Sequence, residues 1–447
     1  MNRTLIIPNE IVTADSKGTI LKNYAIEISG TVIEKLIPLT DAVIKSFTGE
    51  VVYADNLTVI PGFVQTHIHL CQTLFRGLAD DLLLLDWLQQ RIFPFEQAHD
   101  SNSLRISAQL GINELFLGGT TTLLDMGTIN YQEVIFEELT NSGIKAFAGK
   151  CMMDQNDLFP TFRAETKDEL EQTYRLAKAF HQTSGGRINY GFAPRFVLSC
   201  SEKLLIETTE MMKEFPGSIF HTHSSENKDE IEAVRKLRGK ENVEYLNSIA
   251  ALHNHTVLAH CIHLNDEEVK LLKEKETRVS HCPSSNLKLG SGIADIPRYL
   301  KEGISVSLGA DGAPCNNNLN AFVEMRLASL IQKPIHGPQA MDAETTFRLA
   351  TIEGAKALHI ENKTGSIEAG KKADLVFLNL EKFDQPLSEE NIYSKIVYSA
   401  SKENVEHVMS EGEWVVKAGA SLVYNSDELY KKGKEELNNL LKRVGSL

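Results

Sequence analysis

The stretch Val59-Ile60-Pro61-Gly62-Phe63-Val64-Gln65-Thr66-His67-Ile68-His69 decides how the chain is read. An apolar, β-rich run meets a Pro-Gly break and ends in two histidines at i and i+2. In a strand, residues two apart point to the same side, so His67 and His69 can aim both imidazoles at one point. Neutral imidazole is the commonest protein ligand for a metal near pH 7. This strand end therefore predicts half of a metal site, with the other half to come from elsewhere in the chain. The pair alone is a weak signal, because three H-x-H pairs stand among the 14 histidines. The others are His221/His223 and His253/His255, the last in a loop that reads as solvated.

From residue 59 onward, short apolar strands alternate with longer amphipathic stretches, the βα repeat of a parallel sheet. Strands are predicted over 59–67, 120–126, 144–152, 188–193, 218–223, 256–260, 278–281 and 304–309. Helices are predicted between them, over 103–117, 167–183, 202–214, 229–238 and 266–275. Eight such units predict a (β/α)8 barrel, with its active site at the C-terminal ends of the strands. No G-x-G-x-x-G follows a strand, which argues against a doubly wound open sheet.

The flanks read differently. Residues 3–60 carry short alternating strands with turns at Ser29-Gly30 and Thr48-Gly49, and the chain turns β again after residue 365. The expected division is a β-sandwich from 1–58 and 365–447, the latter with a helix over 427–444, around a catalytic barrel over 59–364. Gly365 to Lys372 has the G-x4-G-K spacing of a phosphate loop. However, position 372 is Lys and a strand follows instead of a helix. Hydrophobic content of 42% and charged content of 24% fit a globular chain, and no apolar run approaches the ~20 residues of a membrane helix. A net charge of −14 opposes binding to nucleic acid. Six cysteines without C-x-x-C pairs, and no signal-peptide pattern, point to a reduced cytoplasmic protein.

Strand C-termini carry the chemistry. The first ends in His67 and His69, the fifth in His221, His223 and then Glu226, the sixth in His260, and the eighth in Asp311. A divalent cation with three or four N/O ligands and an open position lowers the pKa of water toward ~7. Imidazole with carboxylate suits zinc or iron. A glutamate three residues past a ligand histidine is placed to shuttle a proton, and Asp311 can both ligate and accept one.

Together these stretches resemble the amidohydrolase superfamily, in its aminohydrolase branch. They are P-G-F-V-Q-T-H-I-H at 61–69, H-T-H-S-S-E at 221–226 and L-A-H-C-I-H-L at 258–264, with S-H-C-P-S-S-N-L-K-L-G-S-G-I at 280–293 and L-G-A-D-G-A-P at 308–314. The resemblance implies a metal-bearing barrel, with His67, His69, His223 and Asp311 as ligands to one divalent metal, zinc or else iron. It implies Glu226 as proton shuttle and His260 as the polarising or water-positioning group, with Asp311 also catalytic. His221 and His281 stay open between a site role and inward barrel positions.

Within the branch the chain looks most like the methylthioadenosine/S-adenosylhomocysteine/5′-deoxyadenosine deaminases. The matching stretches are F-R-G-L-A-D-D-L at 75–82, D-W-L at 86–88 and the run 317–333. By that likeness Glu96, in Phe93-Pro94-Phe95-Glu96, would hold ribose hydroxyls. Other stretches depart from it. Ala193-Pro194-Arg195-Phe196 stands where adenosine-type enzymes carry Gly-Pro-His-Ser, and it resembles guanine deaminases, as do Gln72 and the run 149–160. Arg195 would suit a keto oxygen and Phe196 a stacked ring. Lys150 falls where some S-adenosylhomocysteine deaminases place an arginine for the amino-acid tail.

The expected function is hydrolytic deamination of a purine-type ring, foremost a 5′-modified adenosine. Guanine deamination, triazine amino- or chlorohydrolysis and a non-catalytic scaffold are the alternatives. The expected partners are a heterocyclic small molecule, water and further copies of the chain, with neither nucleic acid nor membrane. The H-x-E with P-C-x-x-C zinc pattern of nucleic-acid deaminases is absent from the sequence.

Overall fold

In the computed structural model, which describes residues 3–382 and 391–445, Pro61 and Gly62 divide two sheets. Residues up to Pro61 belong to strand Glu50–Pro61, where Pro61 pairs antiparallel with Leu375. Phe63–His69 opens a second, parallel sheet. Gly62 permits the change of sheet, because a Cβ there would lie 2.1 Å from Thr121 Oγ1. The single strand expected over 59–67 thus crosses a sheet boundary. Apolar patterning reports burial, and both sheets bury this run.

The parallel sheet takes its strands in chain order. Phe63–His69 is followed by Thr120–Asp125, Lys145–Ala148, Ile188–Pro194 and Ile219–Ser224. Thr256–His260, Arg278–His281 and Val306–Leu308 complete the run. The eighth strand is split. Val306–Leu308 pairs with the seventh, and Asp311–Gly312 pairs with Ile68 and His69 of the first, which closes the (β/α)8 barrel. Gly309 sits in the break, where a Cβ would come within 2.8 Å of His67.

Four of the intervening helices start at side-chain caps. Asp100, Ser201, Asn227 and Asn265 each accept a backbone N–H at the start of Ser101–Leu117, Glu202–Met212, Lys228–Arg238 and Asp266–Glu274. Inside the barrel, Thr66 Oγ1 lies 2.7 Å from Ser280 Oγ and 2.8 Å from Ser307 Oγ, a hydroxyl layer among the inward-facing residues.

The termini build one mixed nine-stranded sheet. Arg3–Val12, Ile20–Lys22, Tyr24–Ser29, Val32–Pro38 and Glu50–Pro61 come from one end; Leu375–Leu378, Val405–Ser410, Glu413–Lys417 and Ala420–Ser421 come from the other. Leu375–Leu378 joins the two sets by pairing with Glu50–Pro61. The amphipathic helix Ser426–Val444 then returns to the barrel, burying Leu429 and Leu440 against Leu74, Phe75 and Phe95. Its Arg443 donates to Ala98 O at 2.6 Å and to Ser103 Oγ at 2.9 Å. Ser103 in turn meets His99 Nδ1 at 3.0 Å, and His99 Nε2 donates to Cys71 O at 2.7 Å. No helix among the described residues is long and apolar enough to cross a membrane.

Candidate active site

The first strand delivers its histidines through an irregularity. Gln65 pairs with Leu123 but Ile68 with Asp125, so one extra residue is accommodated between them. His67 and His69 still converge, each Nε2 lying 3.2 Å from Asp311 Oδ1. His69 Nε2 and His223 Nε2 lie 3.3 Å apart. The ligating atoms of His67, His69, His223 and Asp311 all fall within 4.8 Å of one another.

The far ring nitrogens are tied down. His223 Nδ1 donates to Arg195 O at 2.7 Å, and His67 Nδ1 lies 2.9 Å from His221 Nε2. Each contact leaves Nε2 facing the common centre, as metal-binding imidazoles require. His221 thus orients His67. Burial pushes His67 down to about 4 and His223 well below its ordinary value, so both are neutral and able to ligate. Burial alone would raise the Asp311 carboxyl, but His67 and its neighbours hold it well below the usual range. His67 Nε2 is buried, and its 3.2 Å approach to Asp311 Oδ1 is not aligned as a hydrogen bond. Three convergent imidazoles, one carboxylate and a buried nitrogen without an aligned hydrogen bond fit a single divalent cation.

Beside this cluster stand Glu226 and His260. His260 Nδ1 lies 2.8 Å from Asn286 Oδ1, and its Nε2 faces Glu226 Oε2 at 3.5 Å and Asp311 Oδ2 at 3.8 Å. Burial opposes protonation of His260, but Glu226 and then Asp311 outweigh it and raise its pKa. Burial lifts Glu226 to about 7, which suits a group that must both take and give a proton near neutrality. Both His260 and Asp311 adopt left-handed backbone, with φ of 73° and 61°. Such strain concentrates where the surrounding structure dictates an orientation.

A cavity opens above these groups. Leu84, Trp87, Leu88, Phe196 and Leu289 give it apolar walls, while Gln72 and Arg195 supply polar atoms. Two residues expected to touch substrate are held elsewhere. Glu96 does not line the cavity: Arg195 Nη1 donates to its Oε2 at 2.6 Å and Nη2 to its Oε1 at 3.2 Å, and Gln72 Nε2 donates to Oε1 at 2.8 Å. Lys150 points into the barrel wall, 2.8 Å from Glu169 Oε1 and bonded to Ile129 O, so its ammonium is not available to a ligand. His281 is buried with both nitrogens unpartnered and lies outside the cavity lining.

Sequence reasoning passed over Asn286, Glu230 and the Leu84–Leu88 wall. Asn286 does lie in the quoted 280–293 motif, and Glu230 follows Glu226 by four residues, so both carried a readable signal. The wall lay partly in the quoted D-W-L stretch at 86–88, but nothing in that stretch marked Trp87 or Leu88 as cavity-lining.

Comparison with known proteins agrees with this geometry. The sequence pattern described as the amidohydrolase family matches residues 58–415. A 5′-deoxyadenosine deaminase of Methanocaldococcus jannaschii is 37% identical over 416 residues, covering 93% of this chain and 96% of that one. A 5-methylthioadenosine/S-adenosylhomocysteine deaminase of Thermodesulfovibrio yellowstonii is 35% identical, covering 97% and 98%. The crystal structure of an adenosine deaminase from Xanthomonas campestris with bound zinc superposes with a TM-score of 0.92, at 26% identity and 98% coverage of both chains. The chain belongs to the amidohydrolase family.

Proposed function

We propose that the protein deaminates the purine ring of a 5′-modified adenosine, with one zinc ion held by His67, His69, His223 and Asp311. The observation that carries this reading is the placing of Glu226 and His260 side by side at the rim of the His/Asp cluster. A divalent cation supplies Lewis acidity that makes water a nucleophile near neutral pH. Glu226 takes the first proton from the attacking water and passes it to the ring nitrogen beside the amine-bearing carbon, then relays the second, taken up by Asp311, to the departing amine to complete ammonia. His260, fixed through Nδ1 by Asn286, directs Nε2 at the oxygen that adds to the ring. Asp311 receives the second proton of the water. Phe196 and Trp87 flank the base, and the apolar wall excludes bulk water around the developing charge.

The walls also rank the substrates. Among the described residues Arg195 is the one Lys or Arg lining the cavity, it is already paired with Glu96, and Lys150 is committed to Glu169. An apolar 5′ group matches such walls, whereas a zwitterionic amino-acid tail finds no free partner. We expect 5′-deoxyadenosine and methylthioadenosine to be turned over with kcat/KM roughly tenfold or more above S-adenosylhomocysteine, a difference of about 1.4 kcal/mol.

One observation favours a second reading. Both oxygens of Glu96 accept hydrogen bonds from Arg195, while Gln72 Oε1 is buried without a partner. A carboxylate so occupied cannot also accept two ribose hydroxyls unless Arg195 moves. If it stays, Gln72 and Arg195 read a free base such as guanine.

An ammonia-release assay across these nucleosides and guanine tests both readings. Glu226→Gln should keep one zinc per chain by emission spectroscopy and lose turnover by about 10²–10⁴. Turnover within tenfold of the parent would overturn the role of Glu226. Release from guanine alone would replace the first reading by the second.

A further inference from the structure

Glu230 is a second buried carboxylate at the same cavity, 2% exposed, near the start of helix Lys228–Arg238. Both of its oxygens are engaged. Oε2 accepts the backbone N–H of Glu226 at 3.2 Å, and Oε1 accepts from Asn242 Nδ2. Asn242 is itself fully buried, at the start of helix Asn242–Ser248, so the anchor belongs to a separate element.

The segment that carries Glu226 needs such an anchor. Ser225 holds a left-handed φ of 53°, and its carbonyl accepts from Ile262 N at 2.9 Å and His263 N at 3.2 Å. Among the described residues the carboxylate of Glu226 has only the long 3.5 Å approach to His260 Nε2. Its place over the cavity is therefore set through its backbone, and the N–H of that backbone is held by Glu230.

We infer that Glu230 is a positioning residue, which fixes the peptide of Glu226 so that its carboxylate stands beside His260 and over the reacting ring. The inference rests on the reading of Glu226 as the proton carrier. The role asks for an acceptor at the right reach; a negative charge is not what it uses. Glutamine supplies that acceptor through Oε1. Its Nε2 can donate to Asn242 once the Asn242 amide turns over, since Asn242 Oδ1 is buried without a partner. Aspartate keeps the charge but falls short by one methylene.

The test compares Glu230→Gln with Glu230→Asp in the zinc-loaded enzyme, with Glu226→Gln in parallel. We expect kcat for Glu230→Gln to exceed that for Glu230→Asp by tenfold or more. KM should stay within threefold for both, and zinc content should be unchanged. The acid limb of the kcat–pH profile should be displaced in Glu230→Asp although that variant keeps the charge, a change that simple loss of packing would not produce. Equal kcat in the two variants, or a higher kcat for the aspartate, overturns the inference. If Glu226→Gln is inactive while the Glu230 pair behaves otherwise, the inference alone fails. If Glu226→Gln stays active, the underlying reading fails first. Both Glu230 variants retain a carboxyl or amide in the buried slot, and thermal midpoints recorded on the same preparations identify any loss of folding.

Discussion

Arg195 and Glu96 meet as a forked pair buried at 3% and 2% exposure. Burial alone would raise the Glu96 carboxyl, and the guanidinium reverses this and holds it below its ordinary value. Removing one member leaves a dry, unpaired charge, which typically costs about 3–5 kcal/mol, whereas replacing both by apolar groups can be near neutral. Arg195→Leu should therefore lower unfolding stability by about 3–5 kcal/mol in urea. Arg195→Leu with Glu96→Leu should recover most of that loss. A double variant as unstable as the single would show that the pair is not the source. This pairing was out of reach of the sequence, since 99 residues separate the partners and nothing local to either names the other. The same holds for Lys150, whose partner Glu169 lies on the next helix. The histidines were more accessible, because a barrel brings strand ends together whatever their separation in the chain.

Elements were readable where one periodicity ruled. The helix predicted over 229–238 is found as Lys228–Arg238, and that over 266–275 as Asp266–Glu274. Strand boundaries failed where geometry outweighed pattern, as at Gly62 and in the split eighth strand, because sheet membership depends on partners far along the chain. The His253/His255 loop is another such case, half-buried instead of solvated. The His255 ring stacks on His359 with centroids 4.0 Å apart, and His359 Nε2 donates to Asn254 O at 2.7 Å. Burial, then His359, His253 and Arg278, push His255 down to about 4. An unfolded histidine takes its proton near pH 6.5. Between these values the unfolded chain binds more protons, so His255 draws stability away as pH falls from about 6.5 to about 4, after which its effect levels off. Thermal midpoints should fall less between pH 7 and pH 5 in His255→Gln than in the parent. Equal falls would remove His255 from the account.

At the scale of the molecule, the barrel and the terminal sheet are joined by buried charge. Lys145, on the third barrel strand, reaches Asp374 at 3.1 Å and Glu411 at 3.2 Å, and Asp374 also accepts Thr364 Oγ1 at 2.6 Å. Lys145→Met strands the Asp374 carboxylate at the junction, while Glu411 keeps Lys372 at 3.4 Å, and should cost about 3–5 kcal/mol by chemical denaturation. A loss below about 1 kcal/mol would place the ion pair among weak surface contacts. The two-part architecture was legible because β-rich flanks bracket the βα repeat. The latch between the parts was not, since a lone lysine in a strand carries no signal.

The terminal helix bears on the order in which the protein is made. Its Arg443 closes a hydrogen-bonded chain through Ser103 and His99 to the carbonyl of Cys71, next to Gln72. The terminal sheet likewise needs both the first strands and those beyond Leu375. Domains generally fold as units while synthesis proceeds at about 5–20 residues per second. Here the wall that holds Gln72 and Glu96 cannot be finished until Arg443 has left the ribosome. A nascent chain halted before residue 426 would carry every candidate metal ligand yet lack the buttress behind the cavity wall.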